Sequence, residues 1–267
     1  MHIKELYIYP IKSARGIPLT SARLDARGLE LDRRWMIVDD KDVFLTQRKV
    51  PRMALIEVAM CEDRLTVRAA GMEELRLPAH QETGTTRRVQ VWDDTVDAID
   101  AGDDAARWFT AMMDRPCRLV RMPDDAQRVA DPRFARKEAL VSFVDAFPLL
   151  LISQASLDDL NTRLVEPVPM NRFRPNIVLD GCLPYEEDTW ESIEIGQIAF
   201  RVAKPCARCA VPAVDQQTGE RCREPLRTLE SYRTRNGKVC FGQNIVHEGI
   251  GILKVGDSAT VIARKAE

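Results

Sequence analysis

The sequence predicts a mainly β protein of the α+β class, with a few helices added to many short strands. Three observations predict it. Short runs of alternating apolar and polar residues recur at close spacing from the N-terminus onward, as in a barrel or sandwich. Few stretches carry a helical apolar stripe. Prolines and charged turns punctuate the rest. A polar, charged stretch from Met122 to Lys137 with two prolines divides the chain, and places a first domain at 1–121 and a second at 122–267.

In order, residues 2 to 9 alternate and are predicted as a strand that Pro10 ends. Lys12 and Ser13 then lie in a loop running to Pro18. Strands are predicted at Arg33–Asp39, Val43–Gln47, Ala54–Met60, Arg64–Ala69, Arg88–Trp92 and Thr95–Ile99, with a hairpin-type turn at Asp39–Asp42. Ala105, Trp108, Phe109 and Met112 share a helical face capped by Asp103 or Asp104. Arg118–Arg121, Leu140–Val144 and Leu149–Ile152 read as strands. Ser153 caps a helix whose Leu157, Leu160 and Leu164 form one stripe, and Pro167 and Pro169 follow it. The later strands are expected at Asn176–Asp180, Ser192–Ile195, Ala199–Val202, Ala210–Val214, Gln243–His247 and Ala259–Ala263. Pro225 suits the start of a short helix that turns Leu226, Leu229 and Tyr232 inward.

Composition narrows the class of function. The 267 residues are 45% apolar and 30% charged, with a formal charge of −2 and a sequence pI near 6.0. A nucleic-acid binder would show a basic excess, so none is expected. The longest apolar run, Phe147 to Ile152, is too short for a membrane span. Met1–Glu5 lack the order of a signal peptide. Seven scattered cysteines do not form a disulfide framework, so a reducing cytoplasm is expected.

The most informative stretch is Lys204-Pro205-Cys206-Ala207-Arg208-Cys209-Ala210-Val211-Pro212. A predicted strand leads into two thiols three positions apart, with a guanidinium between them. A thiolate is a soft metal ligand, and a nearby cation favours the ionised form of Cys209 or Cys206. Arg208 is equally suited to a bidentate pair with a phosphate. Two buried structural cysteines, a zinc site with Cys222 and Cys240, and redox chemistry remain open on these residues alone. The strand-and-proline setting does not offer the helix start that a thioredoxin-like site needs.

Further stretches extend the pattern: Val214–Gly219, Glu224–Leu229, Ser231–Arg233, Phe241–Asn244 and Ile252–Asp257 follow the cysteines, and Asn171–Val178 precedes them. With Tyr9-Pro10-Ile11-Lys12-Ser13 and Asp32-Arg33-Arg34-Trp35 at the front, this order resembles the MOSC-domain family with its N-terminal β-barrel domain, and within it the mitochondrial amidoxime-reducing components and their bacterial counterparts. The resemblance covers nearly the whole chain. It implies an N-terminal β-barrel-like domain packed on a MOSC β-barrel, with the molybdenum cofactor (molybdenum–molybdopterin) in the cleft between them. It implies that Cys209 is the metal ligand and the catalytic residue, and that Lys12, Ser13, Arg33, Arg174, Asn176 and Arg208 hold the pterin and its phosphate. Cys206 is expected to support the loop. Arg34 stays the alternative to Arg33, which would face oppositely on a strand; Arg172 shares a face with Arg174.

The resemblance implies reduction of small N-hydroxylated compounds, independent of pyridoxal phosphate. The chain has no Cys-x4-Cys-x2-Cys run, so electrons are expected from a separate ferredoxin- or flavin-type reductase. A monomer without membrane or nucleic-acid partners is expected. Two departures bear on substrate: Ala207 stands where the mitochondrial proteins have serine, and Ala146-Phe147 where they have Thr-Ser. The alternatives are a non-catalytic cofactor carrier, a sulfur-transfer protein using Cys209, or a structural zinc module of Cys206, Cys209, Cys222 and Cys240.

Overall fold

A computed structural model describes residues 1–61, 63–134 and 139–266. Strands dominate it, with α-helices at Asp103–Met113, Gln154–Thr162 and Leu226–Tyr232 among the described residues. The mainly β prediction is therefore correct.

The largest sheet has nine strands. Its order is Ala259–Arg264, Trp190–Ile195, Ile198–Ala207, Lys238–His247, Leu149–Ser153, Ile177–Asp180, His2–Ile8 and Ile17–Leu19, with Thr234–Arg235 paired to Lys238–His247. Leu149–Ser153 and Ile177–Asp180 run parallel, and the helix Gln154–Thr162 is part of their crossover. Ser153 caps that helix, its Oγ accepting from Ser156 N at 3.1 Å, as its sequence position predicts. A four-stranded sheet joins Trp35–Asp39, Cys117–Arg121, Asp94–Asp100 and Thr86–Val91. Two three-stranded sheets complete the fold: Gly251–Lys254 with Ser21–Asp25 and Gly28–Leu29, and Glu57–Cys61 with Arg64–Arg68 and Leu75–Pro78.

Alternation explains the cores. Leu6 and Ile8 of the first strand, and Ile3 across a bulge before Glu5, join an apolar cluster with Leu151, Leu179, Trp190 and Phe200. Trp35, Phe109, Leu119 and Met53 form a second cluster under the helix Asp103–Met113. Its inward face, Ala105, Trp108, Phe109 and Met112, is the one the spacing predicts. The cap is Gly102, not Asp103 or Asp104, which instead lie in the first turn where acidic groups favour the helix dipole.

Other expectations need correction, each because tertiary pairing overrode a local pattern. The strand predicted from Arg33 begins only at Trp35, since Arg33 has φ 49° and sits in a turn. Val43–Gln47 makes only isolated bridges at Val43 and Phe44. Ala54–Met60 splits into a 3-10 turn at Pro51–Leu55 and the strand Glu57–Cys61. Leu140–Val144 has a single bridge, at Leu140, and Ala210–Val214 is a 3-10 turn at Val211–Ala213. The strand at 198–202 runs on through Pro205 to Ala207. Proline is tolerated there because only Lys238–His247 pairs with this end of the strand. The expected inter-domain segment keeps residues 122–134 as described structure; residues 135–137 lie outside the described residues.

Gly242 shows why one motif residue must be glycine. Its φ is +79°, and an added Cβ would sit 2.6 Å from Ile152 Cγ1 and 2.8 Å from the Leu151 carbonyl oxygen. The strand bulges there, with Gln243 opposite Pro205 and Cys240 opposite Ala207. Gly242→Ala is expected to destabilise the protein by about 2–4 kcal/mol, the sum of left-handed strain and overpacking. Urea unfolding measures it; a change below about 0.5 kcal/mol would contradict this geometry.

Candidate functional site

A cleft of about 280 Å³ opens where the first turns of the chain meet the ends of the strands Leu149–Ser153 and Ile198–Ala207. Lys12, Ser13, Arg33, Arg174, Asn176, Arg208 and Cys209 all line it. Arg34 points elsewhere, donating to the Met122 carbonyl at 3.2 Å and pairing with Asp124. The two adjacent arginines are separated by a turn and not by strand alternation. A larger groove, of about 450 Å³, lies beside Arg87, Asp103 and Arg118. Its arginines are engaged: Arg87 and Arg118 pair with Asp100, Arg118 also with Asp103, and Arg107 with Asp104.

Strained backbone marks the cleft. Ser13, Arg33 and Arg174 have φ of 69°, 49° and 58°. Left-handed non-glycine residues cost about 1–3 kcal/mol each and gather where surroundings impose them. Here the surroundings are a backbone lattice. Lys12 N donates to Trp35 O at 2.8 Å, Arg33 N to Tyr9 O at 2.9 Å and Phe143 N to Arg33 O at 3.0 Å. Asn176 N donates to Leu150 O at 2.8 Å.

Tyr9 organises the cations. Its ring lies 4.3 Å from the Arg33 guanidinium carbon and 4.2 Å from that of Arg174. Its hydroxyl donates to the Pro175 carbonyl at 3.0 Å. Burial pushes the phenol up to about 12, despite the opposing arginines, so it stays neutral. Arg33 pairs with buried Asp32 at 2.6 Å and donates to Asn176 Oδ1 at 3.0 Å. Asn176 also accepts from Leu150 N and donates to Tyr7 O, both at 3.2 Å. Its amide therefore braces three elements, a positioning part that its motif match alone does not reveal.

Two arginines present unused donors. Arg174 gives Nη1 to the Ala14 carbonyl at 2.7 Å, and its buried Nη2 has no partner. Arg208 gives Nη2 to the Phe173 carbonyl at 2.8 Å and Nη1 to Cys206 Sγ at 3.2 Å, and its buried Nε has no partner. A buried donor left unmade costs about 1–3 kcal/mol. Arg27, Arg34 and Arg201 also leave a buried Nε unpaired, and what sets Arg174 and Arg208 apart is that both line the one cleft. Burial pulls Arg174 down to about 10, which leaves it charged at neutral pH.

Lys12 is buried and donates to the Phe143 carbonyl at 2.7 Å and to Asp145 at 2.5 Å. Burial lowers the lysine and Asp145 partly restores it. Burial alone would raise Asp145, but the Lys12 ammonium and the Trp92 indole N–H hold it below the usual carboxylate range. Asp145 and Trp92 were not marked by any sequence pattern.

The cysteines divide by geometry. Cys206 and Cys209 both line the cleft, but Cys206 accepts from Arg208, whereas the half-buried Cys209 thiol has no hydrogen bond among the described residues. The loop after it is pinned by Arg172. That side chain donates to Pro212 O at 2.8 Å and to Glu224 O and Cys222 Sγ at 3.2 Å each. Arg172 is thus a brace and not part of the cleft lining. Among the described residues no three His, Cys, Asp or Glu side chains gather to hold a metal, so the four-thiol zinc arrangement does not form. No helix among the described residues is long and apolar enough to cross a membrane.

Comparison with known proteins decides the family. The model of the MOSC N-terminal beta barrel domain matches residues 1–116, and that of the MOSC domain matches residues 138–260. Human mitochondrial amidoxime-reducing component 1 is 35% identical over 98% of this chain and 83% of its own length.

This chain belongs to the MOSC-domain family.

Bovine mitochondrial amidoxime reducing component 2 is 36% identical over 96% of this MOSC chain and 81% of its own length. Human molybdenum cofactor sulfurase is 30% identical over 94% of the chain, which spans 30% of that longer protein.

Proposed function

We propose that this MOSC protein binds the molybdenum cofactor in the cleft and reduces N-hydroxylated compounds with electrons from a separate donor protein. The observation that carries the reading is the convergence of Lys12, Arg33, Arg174 and Arg208, among six cations, and of Cys209, one of two cysteines, on a single cleft, with the buried Arg174 Nη2 and Arg208 Nε unpartnered. The donor set fits the group. A terminal phosphate suits Arg and Lys donors at loop ends, and a metal held by a dithiolene suits one further soft thiolate. Similarity to the amidoxime-reducing components supports the reductase half of the reading.

When bound, the cofactor supplies the redox chemistry that removes oxygen from the N–O group. The chain's own part is orientation. Arg174 and Arg208 offer their guanidinium charge to the phosphate from the cleft lining, and Arg33 and Lys12 add charge from the facing turn. Tyr9 keeps two guanidiniums close despite their repulsion. Cys209 supplies the metal's thiolate. Val144, Ala146 and Phe147 form an apolar wall that limits water. Asp145 remains ionised beside Lys12 and is not a proton source at neutral pH.

Protein from a molybdenum-competent host is expected to carry about one molybdenum and one pterin per chain, as a single soft-ligand site implies. Metal analysis and pterin fluorescence test this; stoichiometric zinc without pterin would overturn it. Likeness to molybdenum cofactor sulfurase favours a second reading, a carrier or sulfur-transfer protein. Loaded protein that never turns over an amidoxime with a chemical reductant would select that second reading.

A further inference from the structure

The cleft holds more positive charge than a phosphate clamp needs. Lys12, Arg33, Arg48, Arg174, Lys204 and Arg208 line it against one carboxylate, Asp145. Asp145 is already committed to Lys12 and Trp92. Arg48 and Lys204 belong to neither the clamp nor the Tyr9 stack.

Both of these cations are seated on aromatic rings. Lys204 Nζ lies 4.4 Å from the centre of Phe134 and 5.1 Å from that of Phe147. The Arg48 guanidinium carbon lies 4.1 Å from Trp92 and 5.8 Å from Phe44. A ring face attracts a cation without using its N–H donors, so the charge is oriented while its hydrogen bonds stay available. Lys204 Nζ has neither an ion pair nor a hydrogen bond among the described residues. Asp131, the carboxylate whose charge reaches it, is forked by Arg133 at 2.9 and 2.6 Å. Arg48 Nε donates only to Thr46 Oγ1, at 3.3 Å. The segment Asp145–Phe147 joins the two seats, since Asp145 accepts from Trp92 and Phe147 carries Lys204.

We infer that Lys204, assisted by Arg48, is an anion-recognising subsite that selects substrates bearing a carboxylate or phosphate on an aromatic or otherwise apolar body. The inference rests on the proposed function for the reaction, but not for the binding. The apolar body would lie along Ala146 and Phe147, and its anionic group would meet the ammonium. This gives the Ala146-Phe147 stretch a consequence: it builds the seat that leaves Lys204 free for a ligand.

The test is equilibrium binding by calorimetry, on the protein as isolated, of two probes that differ by one group: benzamidoxime and 4-carboxybenzamidoxime. One charge-assisted hydrogen bond predicts that the wild type binds the carboxylate at least about tenfold more tightly. Lys204→Met is expected to remove that preference while leaving the neutral probe's affinity within about twofold, and Lys204→Arg to restore most of it. Arg48→Met should weaken it partially. Equal binding of the two probes by the wild type, binding of neither, or an undiminished preference in folded Lys204→Met protein would each overturn the inference. Pterin content and turnover of the neutral probe, measured on the same samples, report on the proposed function separately. A protein that prefers the carboxylate yet reduces nothing would refute only the latter.

Discussion

Cys209→Ala protein is expected to lose at least about a hundredfold of its amidoxime-reducing activity, since even outer partners of a metal ligand are worth 10–100-fold. The thiol lines the cleft and has no hydrogen bond among the described residues, so its removal costs the fold little. Folding should therefore persist, and the loss should appear in turnover and in the metal's sulfur coordination by X-ray absorption. Cys206→Ala is the comparison. Cys206 Sγ accepts one bond from Arg208 Nη1, while Arg208 Nη2 stays anchored on the Phe173 carbonyl. That variant should keep much of its activity. Equal losses from both changes, or a Cys209→Ala protein with full turnover, would remove Cys209 from its assigned role.

Arg174→Ala should lower cofactor retention about tenfold or more, the loss of one charge-assisted hydrogen bond from a partly buried clamp. The free Nη2 is the atom at stake, and Nη1 also ties the cleft to the Ala14 carbonyl. Arg174→Lys should recover only part, because an ammonium cannot present a planar fork. Pterin content after gel filtration is the measurement, with circular dichroism to check folding. Arg27, which the sequence places in a loop away from every motif, is no neutral control: it is buried and donates to the Ala126 carbonyl. Exposed Arg64 serves instead, and Arg64→Ala should change retention little. Full retention by folded Arg174→Ala protein would refute the clamp.

Much of this was legible along the chain. Alternation at Leu6 and Ile8, the helical stripe from Ala105 to Met112 and the Ser153 cap follow from periods of two and 3.6 and from a hydroxyl's reach to a backbone N–H. Ile3 joins the same core only through a bulge before Glu5. The residue types of the cleft were also readable, because thiol and guanidinium chemistry does not depend on the fold. Tertiary structure alone decided where those groups point. Arg33 enters the cleft because a left-handed turn, tied to Tyr9 and Phe143, replaces the strand that alternation implied. Asp145 carries no local signal, and the parts that Tyr9 and Lys204 play cannot be read from the motifs they stand in. Their significance comes from partners 23 to 166 residues away or from rings across the cleft. Local pattern records which groups are available; the unpartnered Arg174 Nη2 and Arg208 Nε exist only because folding buried those side chains in the cleft lining without giving these atoms an acceptor.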